Sequence, residues 1–248
     1  MISRDQRRVI VVDDPAALAR TAADRLIARI GANDGRIAIC LTGGSSPRQL
    51  YQLLATDAYR NRIPWHRVHW FIGDERFVPA DNPLNNMAVA QKIFLDTCAP
   101  AVNIHPIPTS RGNPDASAGR YADELKLFYG ADALSPDRPL FDLVLMGVGP
   151  DGHTASLFPG YPALEDTRHW VVGVPKANVE PFVPRVTLTL RTLASCREML
   201  FGVEGAGKRA ILTRLLDGEN LPANRAQSNF ETIWLVDRAA LPEDHLGQ

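Results

Sequence analysis

Short apolar, β-branched runs recur along this chain with amphipathic stretches between them, and that alternation limits the fold more than any other feature. RVIVV at residues 8–12 reads as a strand. Residues 15–30 follow with apolar positions at Leu18, Ala22, Leu26 and Ile30, a helical spacing. Asp14 is placed to cap that helix, Pro15 suits its first position, and Gly31 marks its end. RIAICLT is a second buried strand, with a helix expected from about Pro47. VHWFIG, FDLVLMGVG, WVVGV, RVTLTL, EMLFGV and TIWLV are further strand candidates, with helical patterns near residues 86–95, 116–128 and 208–216. Strands alternating with helices imply parallel pairing with right-handed crossovers, hence an α/β sheet covered by helices on both faces. Proline-rich stretches around residues 100–114 and 175–184 read as surface loops, because the alternation resumes after each. With 248 residues, one domain spanning 1–248 is expected.

In such sheets ligands gather beyond the carboxyl ends of the strands, so those ends are where function is sought. A formal net charge of -1 gives no overall attraction to nucleic acid or an anionic membrane, so an anionic ligand has to be held locally. The start, MISRDQRRVIVV, places charges where a secretory signal needs an apolar core, and no segment approaches the roughly 20 apolar residues of a membrane span. A cytoplasmic protein is expected. Cys40, Cys98 and Cys196 are far apart and form no zinc-like cluster, so they read as buried thiols and no metal site is expected.

Four strand ends carry candidate chemistry. In ICLTGGSSPRQLYQLL, Gly43 and Gly44 let backbone amides approach a ligand, Ser45 and Ser46 add hydroxyls, and Ser46 and Gln49 have capping-box spacing. This is a phosphate site or a well-capped tight turn. In VHWFIGDERFVP, the charges Asp74, Glu75 and Arg76 form a solvated turn or point into a confined space, where Arg76 suits a phosphate or carboxylate and Asp74 a sugar hydroxyl. In LVLMGVGPDGHTASLFPG, Gly147 and Gly149 loosen the chain after a strand, and His153 follows an Asp151-Gly152 turn at the sheet edge. A neutral imidazole there can take a proton from water, with Asp151 orienting it. His66 and His69, three apart on one strand, face opposite sides and make a poor metal pair. Lastly, FGVEGAGKRA nearly matches a nucleotide-binding P-loop, but Arg209 replaces the Ser or Thr that would hold magnesium. Lys208 there, and Arg185 opening RVTLTL, are anion contacts or plain surface cations.

LTGGSSPRQLY, WFIGDERFVP, NNMAVAQKIF, LVLMGVGPDGHTASLFPG and RVTLTL, in that order, make the chain resemble the 6-phosphogluconolactonase family over nearly its full length. DGHTASLFP is the most specific element. Related glucosamine-6-phosphate deaminases typically continue DGH with I-x-F-N-E-P, and their glutamate is missing here. The glycine loop of the family usually reads GGSTP, and Ser46 replaces its threonine while keeping the hydroxyl.

The resemblance implies hydrolysis of 6-phospho-D-glucono-1,5-lactone to 6-phosphogluconate in the oxidative pentose phosphate pathway, without a cofactor. It implies a Rossmann-like, mainly parallel sheet with a smaller additional lobe. His153 matches the family's general base, and Gly43, Gly44, Ser45 and Ser46 match its phosphate loop. Asp74, Arg76, Arg185 and Lys208 fall at substrate- or phosphate-contacting positions, while Arg76 or backbone amides near Gly152 are candidate oxyanion donors. Lys176, in the VPK loop, is a further candidate contact. The partner expected is a small phosphosugar lactone, with no nucleic acid or membrane, bound by a monomer or small homo-oligomer. A deaminase or isomerase of aminosugar phosphates is the alternative, as is a non-catalytic sugar-phosphate module. The latter normally carries a helix-turn-helix, for which no basic recognition helix is evident.

Overall fold

The structure, a computed structural model, describes residues 7–242. The reading of the chain's start as no secretory signal falls largely on residues 1–6, outside the described part.

In chain order the elements begin β1 (Arg7–Val12), α1 (Pro15–Gly31), β2 (Ile37–Leu41), α2 (Pro47–Ala55), α3 (Asp57–Arg60), β3 (Val68–Ile72) and β4 (Asp74–Arg76). The helical stretch that follows is α4 (Asn86–Ala90), a π-helical turn (Gln91–Leu95) and α5 (Asp96–Cys98). Then come α6 (Pro114–Tyr129), β5 (Phe141–Met146), β6 (Val171–Val174), β7 (Arg185–Leu188), α7 (Leu190–Ala194), β8 (Cys196–Val203), α8 (Arg209–Leu216), α9 (Pro222–Arg225) and β9 (Glu231–Asp237).

Six strands form one sheet in the order β1-β9-β8-β5-β2-β3, every neighbouring pair parallel. All residues of β2 and β5 are buried, as interior strands of a helix-covered parallel sheet require. Helix α1 starts where its cap was expected: Asp14 Oδ1 accepts from the Ala17 amide at 2.7 Å, and Pro15 opens the first turn. Its buried face, Leu18, Ala22, Leu26 and Ile30, joins the continuous apolar core. Packing of that face, more than propensity, is what holds such a helix in place.

Three expectations need correcting. WVVGV and RVTLTL do not extend the parallel sheet; they are β6 and β7 of a separate antiparallel sheet, ordered β4-β7-β6. The DER charges are not a turn, because Asp74–Arg76 is β4 itself, paired residue by residue with β7. Gly73 joins the two sheets, its amide donating to Leu41 O of the large sheet (3.0 Å) and its carbonyl accepting from Leu188 in the small one (2.9 Å). His66, finally, lies in a 3₁₀ turn before β3, while His69 is on β3 and shares a 2.9 Å hydrogen bond with His105.

Because the large sheet is parallel, the carboxyl ends of β2, β3, β5 and β8 share one edge. The small sheet rises from that edge through Gly73, so the two sheets bound a cleft between them. Among the described residues no helix is long and apolar enough to cross a membrane.

Candidate active site

The cleft at this edge is lined by the glycine loop after β2, by Asp74 and Arg76 of β4, by Gly149, His153 and Ala155 after β5, by Arg185 of β7, and by Lys208. The fold thus brings together residues that the sequence scatters over more than 160 positions.

In the loop, Gly44 has φ +96°, a left-handed conformation open to glycine at little cost. Gly43 is required for a different reason: a Cβ there would lie 2.1 Å from Asn86 Oδ1. The amides of Gly44, Ser45 and Ser46 find no hydrogen-bond acceptor among the described residues. They precede α2, whose N-terminal dipole favours an anion in front of them. The expected cap is absent, however. Ser46 already has helical backbone angles and makes no capping bond; its hydroxyl lies beside the Glu204 carboxyl instead.

Three cations face this cleft, and none forms an ion pair among the described residues. Arg185 is only 4% exposed and donates to two backbone carbonyls, Pro181 O (2.9 Å) and Val183 O (3.3 Å). Arg76 Nη1 donates to Leu84 O (2.9 Å) and Asn86 Oδ1 (2.8 Å), while its Nε is buried without a partner. Lys208 Nζ donates to Val148 O at 2.6 Å. Burial lowers the pKa of both Arg185 and Lys208, opposed by Asp74 near the first and Glu204 near the second. Burying cations without a direct ion pair is costly, and an anionic ligand relieves the cost.

His153 stands across the cleft. Its Nδ1 lies 2.5 Å from Asp151 Oδ1, which also accepts the His153 amide at 3.1 Å. Burial pushes the Asp151 carboxyl up, but its hydrogen bonds from His153 outweigh that and hold it below the ordinary aspartate range. With Nδ1 bound to a carboxylate as donor, Nε2 is left as the proton acceptor. The ring packs so tightly on Gly149 that a Cβ there would fall 2.0 Å from its Cε1. Ala155, two residues on, holds a left-handed φ of +48°, an uncommon conformation for alanine.

The Gly152 amide donates to Gly149 O (3.0 Å) and its Cα faces Leu221, so that N–H is engaged in the turn. Lys176 is exposed and does not line the cleft. Asp74 is 6% exposed and accepts from Ser156 Oγ at 2.6 Å through Oδ2.

Two further side chains build the site without a signal of their own in the sequence. Asn86 touches Gly43, Arg76 and Asp74, although NNMAVAQKIF had drawn notice only as a family element. Glu75, fully buried, accepts the amides of Asn86 (2.6 Å), Met87 (2.9 Å) and Arg76 (2.9 Å); burial drives its pKa up to about 8 against the pull of those donors. Among the described residues, no cluster of three or more His, Cys, Asp or Glu side chains is arranged to hold a metal ion.

Residues 13–234 match the family described as glucosamine-6-phosphate isomerases/6-phosphogluconolactonase. A 6-phosphogluconolactonase of Synechocystis is 39% identical over 215 residues, covering 84% of this chain and 85% of its own. The crystal structure of 6-phosphogluconolactonase from Thermotoga maritima superposes with a TM-score of 0.80 at 28% identity, covering 94% of this chain and all of its own. A monomeric glucosamine-6-phosphate deaminase reaches a TM-score of 0.79 at 18% identity, with coverage of 94% and 98%, a likeness of fold alone. The match over most of the chain, and the relatives that share its length, place this protein in the glucosamine-6-phosphate isomerase/6-phosphogluconolactonase family.

Proposed function

We propose that the protein is a 6-phosphogluconolactonase, hydrolysing 6-phospho-D-glucono-1,5-lactone to 6-phosphogluconate. The observation that carries this reading is that His153, held by Asp151, opens onto the same cleft as three cations that form no ion pair among the described residues. The substrate's phosphoryl group sits at the amides of Gly44, Ser45 and Ser46, with Arg185 and Lys208 supplying charge. Asp74, with one carboxylate oxygen held by Ser156, accepts sugar hydroxyls through the other.

A lactone is an activated ester, so no covalent nucleophile is needed. His153 Nε2 takes a proton from water, and the oxygen of that water bonds to C1. The tetrahedral adduct then breaks its C1–O5 bond, and the imidazolium returns the proton to the departing ring oxygen. Asp151 holds the Nδ1 proton throughout, fixing the ring and stabilising its cationic form. Arg76 faces the developing oxyanion through the guanidinium edge not engaged by Leu84 and Asn86.

A deaminase shares the fold, but residues 154–158, Thr-Ala-Ser-Leu-Phe, supply no carboxylate after the histidine. Two assays separate the readings. Freshly generated lactone should vanish faster than its spontaneous hydrolysis, with no ammonia released from glucosamine 6-phosphate. Ammonia release without lactone turnover would overturn the assignment.

A further inference from the structure

Asn86 opens α4, is 5% exposed, and touches three parts of the cleft at once. Its Oδ1 accepts from Arg76 Nη1 at 2.8 Å, and its Nδ2 donates to Asp74 O at 3.0 Å. Both ends of the carboxamide are therefore used, and its orientation is fixed, since a flipped group would set NH₂ against the guanidinium donors. The same carboxamide lies over Gly43 with no room for a Cβ between them. From behind, Glu75 accepts the Asn86 amide at 2.6 Å and the Met87 amide at 2.9 Å, pinning the start of α4. A single side chain thus sets the spacing between the phosphate loop after β2 and the guanidinium on β4.

We propose that Asn86 is a positioning residue: it holds Arg76 at a fixed distance from the glycine loop, so that a sugar phosphate seated on the loop meets the guanidinium without rearrangement. The proposal rests on the lactonase reading above. Preorganised donors gain their effect by not having to reorient when charge develops, and an arginine released from Asn86 would keep only Leu84 O as an anchor for Nη1.

A double-mutant cycle tests this. In the protein with Asn86 intact, Arg76→Ala is expected to lower kcat/KM about 100-fold. In an Asn86→Ala background the same change should cost less than about 5-fold, because the arginine has already lost its placement. The aspartate variant gives an independent signature. Asn86→Asp keeps an acceptor for Arg76, exchanges the donor to Asp74 O for an oxygen and sets a negative charge against the glycine loop; with the guanidinium still held, KM should rise about tenfold or more while kcat stays within roughly threefold. Asn86→Ala should show the opposite split, with the loss in kcat.

Equal costs of Arg76→Ala in both backgrounds, or a fall in kcat at unchanged KM for Asn86→Asp, would overturn the proposal. If Asn86→Ala does not fold, the aspartate split decides alone. Reading the same cycle in the Kd for 6-phosphogluconate separates the two ideas. Absence of lactonase activity in the unaltered protein would sink the functional reading, whereas additive binding losses would sink the role of Asn86.

Discussion

The parallel sheet carries buried charge at both ends of its strands, and the two ends treat it in opposite ways. At the amino ends, Glu198 of β8 is 1% exposed and lies 2.6 Å from Arg25 Nε and 2.5 Å from Arg29 Nε. Glu231 of β9 completes the group, 2.6 Å from Arg29 Nη2. At the carboxyl ends, Arg76, Arg185 and Lys208 donate to backbone carbonyls or to Asn86 and form no ion pair among the described residues, although Asp74 lies near Arg185 and Glu204 near Lys208. Charges satisfied from within hold the fold together. Charges left for an outside partner make a binding site, and the unpaired end is where the glycine loop and His153 lie.

Substitutions at the two ends should therefore separate activity from stability. The largest effect is expected at the carboxyl end: His153→Ala should lower kcat by roughly 10²- to 10⁴-fold with little change in the Kd for 6-phosphogluconate, measured against the spontaneous rate. Unchanged turnover would remove the imidazole from the chemistry. Next, at the amino end, Glu198→Ala leaves Arg25 and Arg29, both partly buried, with only Glu231 as counter-charge and should cost about 3 kcal/mol in urea unfolding, leaving kcat of the folded protein intact. Equal stability there would erase the contrast between the ends. Arg185→Ala should weaken 6-phosphogluconate roughly 10- to 100-fold in calorimetry and lower stability less than Glu198→Ala does, because it abandons two backbone carbonyls and no ion pair.

The smallest effect concerns His69, near the amino end of β3, whose ring meets His105, which in turn meets Glu124 at 2.7 Å. Burial, then His105 and Arg36, lower its pKa from 6.5 to about 4. Between those values the unfolded chain binds a proton that the folded one refuses. The stability contributed is thus complete above about pH 6.5 and is lost as pH falls towards 4. His69→Phe should flatten that slope in urea melts taken across this range, and an unaltered slope would show that another group sets it.

The amino-acid order disclosed the large sheet and most of the cleft because those features are local. Asp14 and Pro15 announce α1, and apolar runs ending in glycine mark where β2 and β5 stop. What it concealed is tertiary. WVVGV and RVTLTL share the apolar pattern of the parallel strands, and nothing in their own residues says that they pair antiparallel with Asp74–Arg76. Ser46 has the composition of a cap, but its backbone is already helical, a matter settled by how the glycine loop enters α2. Which backbone amides near Gly152 stay open is likewise tertiary: that of Gly152 itself donates to Gly149 O in the turn. Asn86 and Glu75 carry no assigned role in the sequence for the same reason: an asparagine and a glutamate gain these roles only when β4 and α4 meet.

The central claim is that the unpaired cations and the imidazole act on two ends of one bound molecule. A crystal structure with 6-phosphogluconate tests it most directly. The expected result is a phosphoryl group within hydrogen-bond distance of the Gly44 and Ser45 amides, with C1 within reach of His153 Nε2 directly or through one water. A phosphoryl group bound elsewhere, or C1 on the far side of the cleft from that imidazole, would contradict it.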